Sequence, residues 1–162
     1  MVQRFASYDE DFKLFVETGY IAVNQGDEEA ALHLFAAADA LRSNSFESRM
    51  GYAFIAVQKM ELARAMKIYN TLLEEDANNN MAKAFLGLTL FLSVFIHKKL
   101  DNDLSKSGVL PVEMEKRAFE LLNEALKNDE DEAAKGLARS TLEWFEQERS
   151  VEGGPFELKP SH

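Results

Sequence analysis

The side chains of this chain that could do chemistry are few, and their spacing matches no familiar catalytic pattern. None of the three histidines, His33, His97 and His162, has a glutamate three residues before it, as di-iron helical bundles require. Glu29 and His33 are four apart and could share a helix face, but one such pair is commonplace. No glycine-rich phosphate loop, HExxH or GxSxG occurs, and the absence of cysteine excludes disulfides and thiolate chemistry. We therefore expect no enzyme, no metal site and no cofactor.

The charge balance argues against nucleic-acid and membrane partners. Acidic residues number 28 against 18 basic ones, and the net charge of −10 repels phosphate backbones and anionic lipid. Residues 1–5 lack the apolar run of a signal peptide, and a chain without cysteine fits a reducing compartment, so we expect a cytoplasmic protein. The longest apolar stretch, residues 84–96, is shorter than the roughly 20 residues of a membrane span. It predicts a buried helix without membrane insertion.

Turn and capping residues divide the chain into seven predicted helices. At Gly26-Asp27, glycine can end one helix in the left-handed conformation and aspartate can cap the next. Residues 43–45 and 76–79 form two further breaks, and between breaks the apolar residues recur at intervals of three and four. The predicted helices cover residues 9–24, 28–42, 46–58, 61–75, 79–99, 111–128 and 130–149.

The connections after the fifth predicted helix are less regular. Residues 98–110 are predicted as a loop, with Lys98-Lys99 as a solvated helix end, and Pro111 suits the first turn of the helix that follows. The acidic run 129–132 is interpreted as a solvated cap of the last helix. Gly153, Gly154 and Pro155 cannot continue that helix, so residues 150–162 are predicted to be a flexible tail.

A spacing of 34 residues recurs through the first half of the chain. Three positions of the repeat have a recurring residue type. The first is a small residue, the second is alanine, and the third, four residues after the alanine, is an aromatic residue. These positions are Gly19, Ala53 and Gly87, then Ala31 and Ala65, then Phe35 and Tyr69. This period is typical of stacked helical hairpins. Small residues let the paired helices approach, and the rings fill the gaps between neighbouring hairpins.

The third repeat departs from this spacing. The period calls for a small residue at position 99, where the chain has Lys99. The matching set appears 19 residues later, as Ala118, Leu122 and Ala125, which predicts an insertion between the two helices of the third hairpin. The last helix is expected to cap the open end through its apolar residues Leu137, Leu142, Trp144 and Phe145.

With these residues the chain resembles the tetratricopeptide repeat family over about residues 12–148, although the prolines that usually end the repeats are absent at Ser43 and Ala77. The resemblance implies an all-α fold, a right-handed superhelical stack of three hairpins with an insertion in the third and a C-terminal capping helix. A single domain is expected over 1–149. Its parts are the repeats 12–45, 46–79 and 80–130 with an insertion near 98–110, the capping helix 131–149 and, after the domain, the tail 150–162.

In this family the first helix of each hairpin lines a concave groove, at the second, fifth, ninth and twelfth positions of the repeat. Repeat starts at Phe12, Phe46 and Asn80 place nine large apolar residues at these positions. The predicted groove residues are Val16, Tyr20, Val23, Met50, Phe54, Val57, Met81, Leu88 and Phe91.

The composition of this predicted groove favours an apolar guest. Family members that clamp a partner's terminal carboxylate have asparagine where this chain has Tyr20 and Phe54, so a carboxylate clamp is not expected. The groove suits the apolar face of a helix or an extended apolar segment, to which Met50 and Met81 can adapt. An apolar stripe at helical spacing is also what a core shows, and the insertion or the last helix could fold into the groove and fill it. Both interpretations stay open.

Among small members of the family, this acidic, cysteine-free chain is similar to the bacterial type III secretion chaperones. The resemblance implies a cytoplasmic, non-enzymatic protein that keeps an export substrate soluble by holding an amphipathic helix of the needle subunit, with a small helical co-chaperone. A translocator chaperone, which holds an extended segment, is the alternative within that class. A scaffold or assembly subunit with a permanently occupied groove is the alternative outside it. Without its client, such a chaperone is expected to be loose or to self-associate.

Overall fold

The structure, a computed structural model, describes residues 2–100, 109–127 and 130–152, with side chains for 7–98, 111–127 and 130–151. The described residues are almost entirely helical and contain no strand, which confirms the predicted all-α class. Their helices are α1 (Val2–Asn24), α2 (Glu28–Leu41), α3 (Phe46–Gln58), α4 (Leu62–Glu75), α5 (Asn80–Leu100), α6 (Val109–Leu126) and α7 (Glu132–Glu152).

The chain divides into two compact units, Met1–Ala82 and Lys83–His162. In the first unit, α1 pairs with α2 and α3 pairs with α4, and α3 packs against both helices of the first hairpin. In the second unit, α6 packs against α7. The single domain expected over residues 1–149 stays a prediction.

The turns within the two hairpins of the first unit have the same backbone form. Gly26 and Met60, 34 residues apart, both lie in the left-handed region, with φ of 75° and 60°. In each turn the amide of the following residue donates to the carbonyl five residues before it, at 2.9 Å after Gly26 and at 2.8 Å after Met60. The left-handed Gly26 confirms the prediction. The equivalent turn at Met60 was not predicted, because methionine gives no local signal for it.

Side-chain caps begin four of the helices. Each capping oxygen accepts a hydrogen bond from the backbone amide three residues ahead, at 2.9 to 3.1 Å. The caps are Asp27, Ser45, Asn79 and Asp131. They confirm the breaks predicted at 26–27, 43–45 and 76–79 and the capping role of the acidic run.

Two helix ends differ from the predictions. Helix α1 begins at Val2 and not near Asp9, because residues 2–8 contain no glycine or proline and Asp9 pairs with Arg42 at 2.6 Å. Helix α7 continues to Glu152, so the predicted tail cannot begin at residue 150; the helix-breaking residues start only at 153. Residues 153–162, like residues 101–108 of the predicted insertion, lie outside the described residues.

Lys98 corrects a further prediction. Its ammonium lies 3.4 Å from a carboxylate oxygen of Glu115 and 5.8 Å from the centre of the Phe145 ring, so it is not a solvated helix end. The ion pair ties the end of α5 to α6. The side chain of Lys99 lies outside the described residues.

Glycines mark the places where helices approach most closely. A Cβ added at Gly19 would lie 2.8 Å from the Phe35 ring, and one added at Gly87 would lie 2.6 Å from Leu122. Both contacts confirm the predicted role of these small residues, and Leu122 confirms the displaced third set. Gly51, which was not predicted, also lies against the Phe35 ring and would clash with it if it carried a Cβ.

Candidate partner-binding surface

The first unit brings six of the predicted groove residues together on α1 and α3. Val16, Tyr20 and Val23 come from α1, and Met50, Phe54 and Val57 come from α3. Four of the six are buried, whereas Tyr20 and Phe54 are partly exposed. The open part of this surface is therefore the pair of aromatic side chains.

Tyr20 is held in place from several directions. Its ring packs edge-on against Phe35 with centroids 5.3 Å apart and lies 6.3 Å from the ring of Phe54. Its hydroxyl donates to the backbone carbonyl of Glu47 at 3.1 Å, which links α1 to the first turn of α3. Burial, and to a smaller degree the Glu47 carboxylate, raise the pKa of the Tyr20 phenol, so the donor stays protonated. Contacts within the first unit therefore position the Tyr20 side chain without any partner.

The buried members belong to the core as the structure stands. Val16 packs with Phe12 and Ala38, and Val23 packs with a cluster that includes Phe35 and Ile55. These contacts correspond to the core interpretation of the apolar stripe. Their role in binding stays a prediction, as do those of Met50 and Val57.

The charged residues Lys13 and Glu47 stand at the second position of their repeats and are exposed. They give the surface a polar edge beside the aromatic pair. A guest with an apolar stripe and mixed charges at one end matches this arrangement.

The third set of predicted groove residues lies on α5. Met81, at the end of the first unit, and Leu88, in the second unit, are partly exposed, whereas Phe91 is fully buried. The Phe91 ring stacks on Phe145 of α7 with centroids 3.9 Å apart and meets Phe119 of α6 edge-on at 4.9 Å. The last helix thus covers this groove position, so Phe91 could contact a partner only if Phe145 moved.

A cleft that the sequence did not indicate lies between α3, α4 and the turn before α3. Arg49 donates two hydrogen bonds to Glu75, at 2.6 and 2.7 Å, and holds the pKa of the Glu75 carboxyl below its usual value. The Tyr52 hydroxyl donates to Asp39 at 3.1 Å, and burial together with this bond raises its pKa to about 12. The cleft has a volume of about 350 Å³ and is lined by Asn44, Arg49, Tyr52, Lys67, Ile68, Thr71 and Glu75.

The candidate pair for metal or acid–base chemistry lies on the surface of the protein. Glu29 and His33 are both exposed on α2. Among the described residues, no group of three or more His, Cys, Asp or Glu side chains could hold a metal ion.

One described segment, Asn80–Lys98 of α5, is long and apolar enough to cross a membrane by length and composition alone. Half of its most apolar stretch is buried within the protein. Core helices of soluble proteins pass the same test, so the segment is weak evidence for a membrane span.

Residues 22–88 match the model of the tetratricopeptide repeat family. This segment is therefore similar to tetratricopeptide repeats. The match runs from the end of α1 into α5, contains both left-handed turns and both buried rings, Phe35 and Tyr69, and has a length close to two 34-residue periods. Tetratricopeptide repeats are non-catalytic and generally mediate protein–protein interaction. Comparisons with curated proteins and with solved structures gave no match.

The predicted groove residues that lie within the matched segment are Val23, Met50, Phe54, Val57, Met81 and Leu88. Sequence reasoning missed Gly51, and it assigned Phe145 to the capping helix without predicting its contact with Phe91. Gly51 lies outside the 34-residue phases that were compared, and the partner of Phe145 is 54 positions earlier in the chain. No local pattern could have joined them.

Proposed function

We propose that this chain is a non-catalytic protein-binding module that holds an apolar or amphipathic helical segment of a partner against its first helices. The observation that carries the proposal is the partly exposed pair of Tyr20 and Phe54, fixed on adjacent first helices. Aromatic side chains that are already ordered can bury large apolar area at little entropic cost. They suit the apolar face of a guest helix.

We propose further that the partner is an export substrate of a bacterial type III secretion system, the needle subunit, which the chain keeps soluble in the cytoplasm. The support is the resemblance noted above, together with the absence of cysteine and the net charge of −10. Strong net charge helps an apolar-binding protein to stay soluble when its surface is empty.

The test replaces Phe54 by glutamate and follows the associations of the chain in its native host. Wild-type chain is expected to co-purify with a partner that mass spectrometry identifies and whose addition raises the melting temperature of the isolated chain. The Phe54→Glu variant is expected to bind that partner at least about 100-fold more weakly, because an unpaired carboxylate would be buried against apolar surface.

Leu32→Glu is the matched control, since Leu32 is an exposed leucine on α2, away from the aromatic pair. It is expected to leave binding unchanged. Retention of every association by Phe54→Glu would refute the binding surface. Identification of the bound chain as something other than a secreted subunit would refute the secretion role while leaving the binding surface intact.

A further inference from the structure

Helix α1 has a second apolar surface on the side that faces away from its own hairpin. Leu14 and Ile21 are 59% and 54% exposed, respectively. They are seven residues apart, so they lie on one side of the helix, about two turns from each other. The residues that pack into the hairpin, such as Phe12, Val16 and Gly19, lie on the opposite side. We call Leu14, Ile21 and the residues around them the outer face of α1.

The outer face of α1 can be compared with the residues of the second hairpin that lie 34 positions later. Leu14 corresponds to Ser48 and Ile21 corresponds to Ile55 in the second hairpin, and these are only 0% and 5% exposed. Ile55 packs in a cluster with Phe35 of the preceding α2. In the second hairpin, therefore, the preceding α2 packs on Ile55, whose counterpart Ile21 the first hairpin leaves open.

The middle of the outer face differs from its buried counterpart. Gly51, which receives the Phe35 ring, corresponds to Glu17 in the first hairpin, and Glu17 is exposed. A partner helix cannot place an aromatic ring against α1 there, because the glutamate occupies the space. It can place a lysine or arginine there, which would pair with the carboxylate.

The charges at the borders of the outer face also favour a basic partner. Glu10 and Glu17 lie on one side of the Leu14–Ile21 line and Asp11 lies on the other, and all three are exposed. From residue 7 to residue 25 the only basic side chain is Lys13. A second copy of this chain would bring acidic borders against acidic borders, which disfavours self-association through this face.

We propose that the outer face of α1 docks a basic amphipathic helix of another protein, with an apolar stripe on Leu14 and Ile21 and with lysine or arginine beside it. This surface is separate from the Tyr20–Phe54 pair, which lies toward α3. The docked helix takes the place that α2 takes against α3.

The test uses the full chain and two labelled helical peptides of about 18 residues, long enough for several turns. Both carry the same leucine and alanine stripe; one has lysine along both borders and the other has glutamate. In fluorescence anisotropy the basic peptide is expected to bind at least about tenfold more tightly, with an affinity that falls as salt increases. Equal binding of the two peptides would overturn the proposal.

Leu14→Ser combined with Ile21→Ser is expected to weaken binding of the basic peptide by about tenfold or more, since burial of two aliphatic side chains is lost. Both residues are exposed, so the fold tolerates the change, and circular dichroism checks this. Leu32→Ser on α2 is the matched control and is expected to bind like wild type. Wild-type affinity in the double variant would overturn the proposal.

Two further measurements test whether the peptide binds at the Tyr20–Phe54 pair instead, and whether a second copy of the chain covers the outer face. Phe54→Glu is expected to bind the basic peptide as wild type does, so a failure of the Tyr20–Phe54 surface leaves this test intact. Loss of peptide binding in Phe54→Glu alone would overturn the outer face as the docking site. The proposal would also be overturned if sedimentation showed that the wild-type chain forms a dimer and that the Leu14→Ser, Ile21→Ser variant does not.

Discussion

At the residue scale, the packing of the first unit depends on one aromatic ring that lies against two glycines. Phe35 is fully buried, and Gly19 of α1 and Gly51 of α3 both lie against its ring. The ring therefore joins a hairpin both to its own first helix and to the next hairpin. Neither contact leaves space for a methyl group.

We expect Gly51→Ala to lower the free energy of unfolding by about 1–3 kcal/mol, because the added Cβ forces the Phe35 ring to move. Urea denaturation followed by circular dichroism measures the change. The matched control is Gly136→Ala in α7, where an added Cβ meets nothing within 4 Å. There the better helix propensity of alanine is expected to raise stability by about 0.5–1 kcal/mol.

A double variant tests whether the loss of stability in Gly51→Ala comes from displacement of the Phe35 ring. Adding Phe35→Leu to Gly51→Ala is expected to cost less than the sum of the two single changes, because the smaller side chain makes room. Strict additivity would mean that Gly51 acts through the backbone and not through Phe35.

At the element scale, the helices were well predicted because their ends depend on local chemistry. Asp27 and Ser45 cap helices within three residues of themselves, and Gly26 ends α1 by its own backbone freedom. The α1 start was wrong because nothing local marks it. The candidate surface was predicted less completely, since the burial of Val16 and the covering of Phe91 depend on residues far away in the sequence.

We expect Met60→Gly to raise the free energy of unfolding by about 1 kcal/mol. Met60 is exposed and has φ of 60°, a conformation that costs a side chain about this much and costs glycine nothing. Thermal or urea unfolding gives the measurement. Gly26→Ala, at the equivalent turn, is expected to lose a similar amount.

Met60→Gly and Gly26→Ala can be compared directly because the two turns share one hydrogen-bond pattern. A lower stability for Met60→Gly would mean that the methionine side chain contributes packing that outweighs its backbone strain. In that case the substitution of methionine for glycine in the second repeat would be a gain for the fold.

At the scale of the whole chain, the question is which apolar residues are available to a partner. Tyr20 and Phe54 are open at their edges, whereas Phe91 lies beneath Phe145 of the last helix. The predicted groove residues therefore include some that are partly exposed and one that the chain's own C-terminal helix covers.

The variant Phe145→Leu tests whether a partner contacts Phe91. It removes the stacked ring from Phe91 at a cost of about 1–1.5 kcal/mol in stability. If a partner uses Phe91, its affinity for the variant is expected to rise by about threefold to tenfold, because less self-packing has to be displaced. Calorimetry with the co-purified partner measures this.

Phe119→Leu is the matched control, because it removes a ring from the same cluster but from α6. Its affinity for the partner is expected to match wild type. Unchanged affinity in Phe145→Leu would assign Phe91 to the core alone.

The pairing of Gly51 with Phe35 also bears on how this chain could be extended by design. The outer face of α1 already carries Leu14 and Ile21 in the register of a helix that another hairpin covers, and Glu17 is the residue that blocks a ring there. Replacing Glu17 by glycine would create a socket like that of Gly51. An extra hairpin fused ahead of α1, with a phenylalanine in the register of Phe35, could then dock as a modular building block.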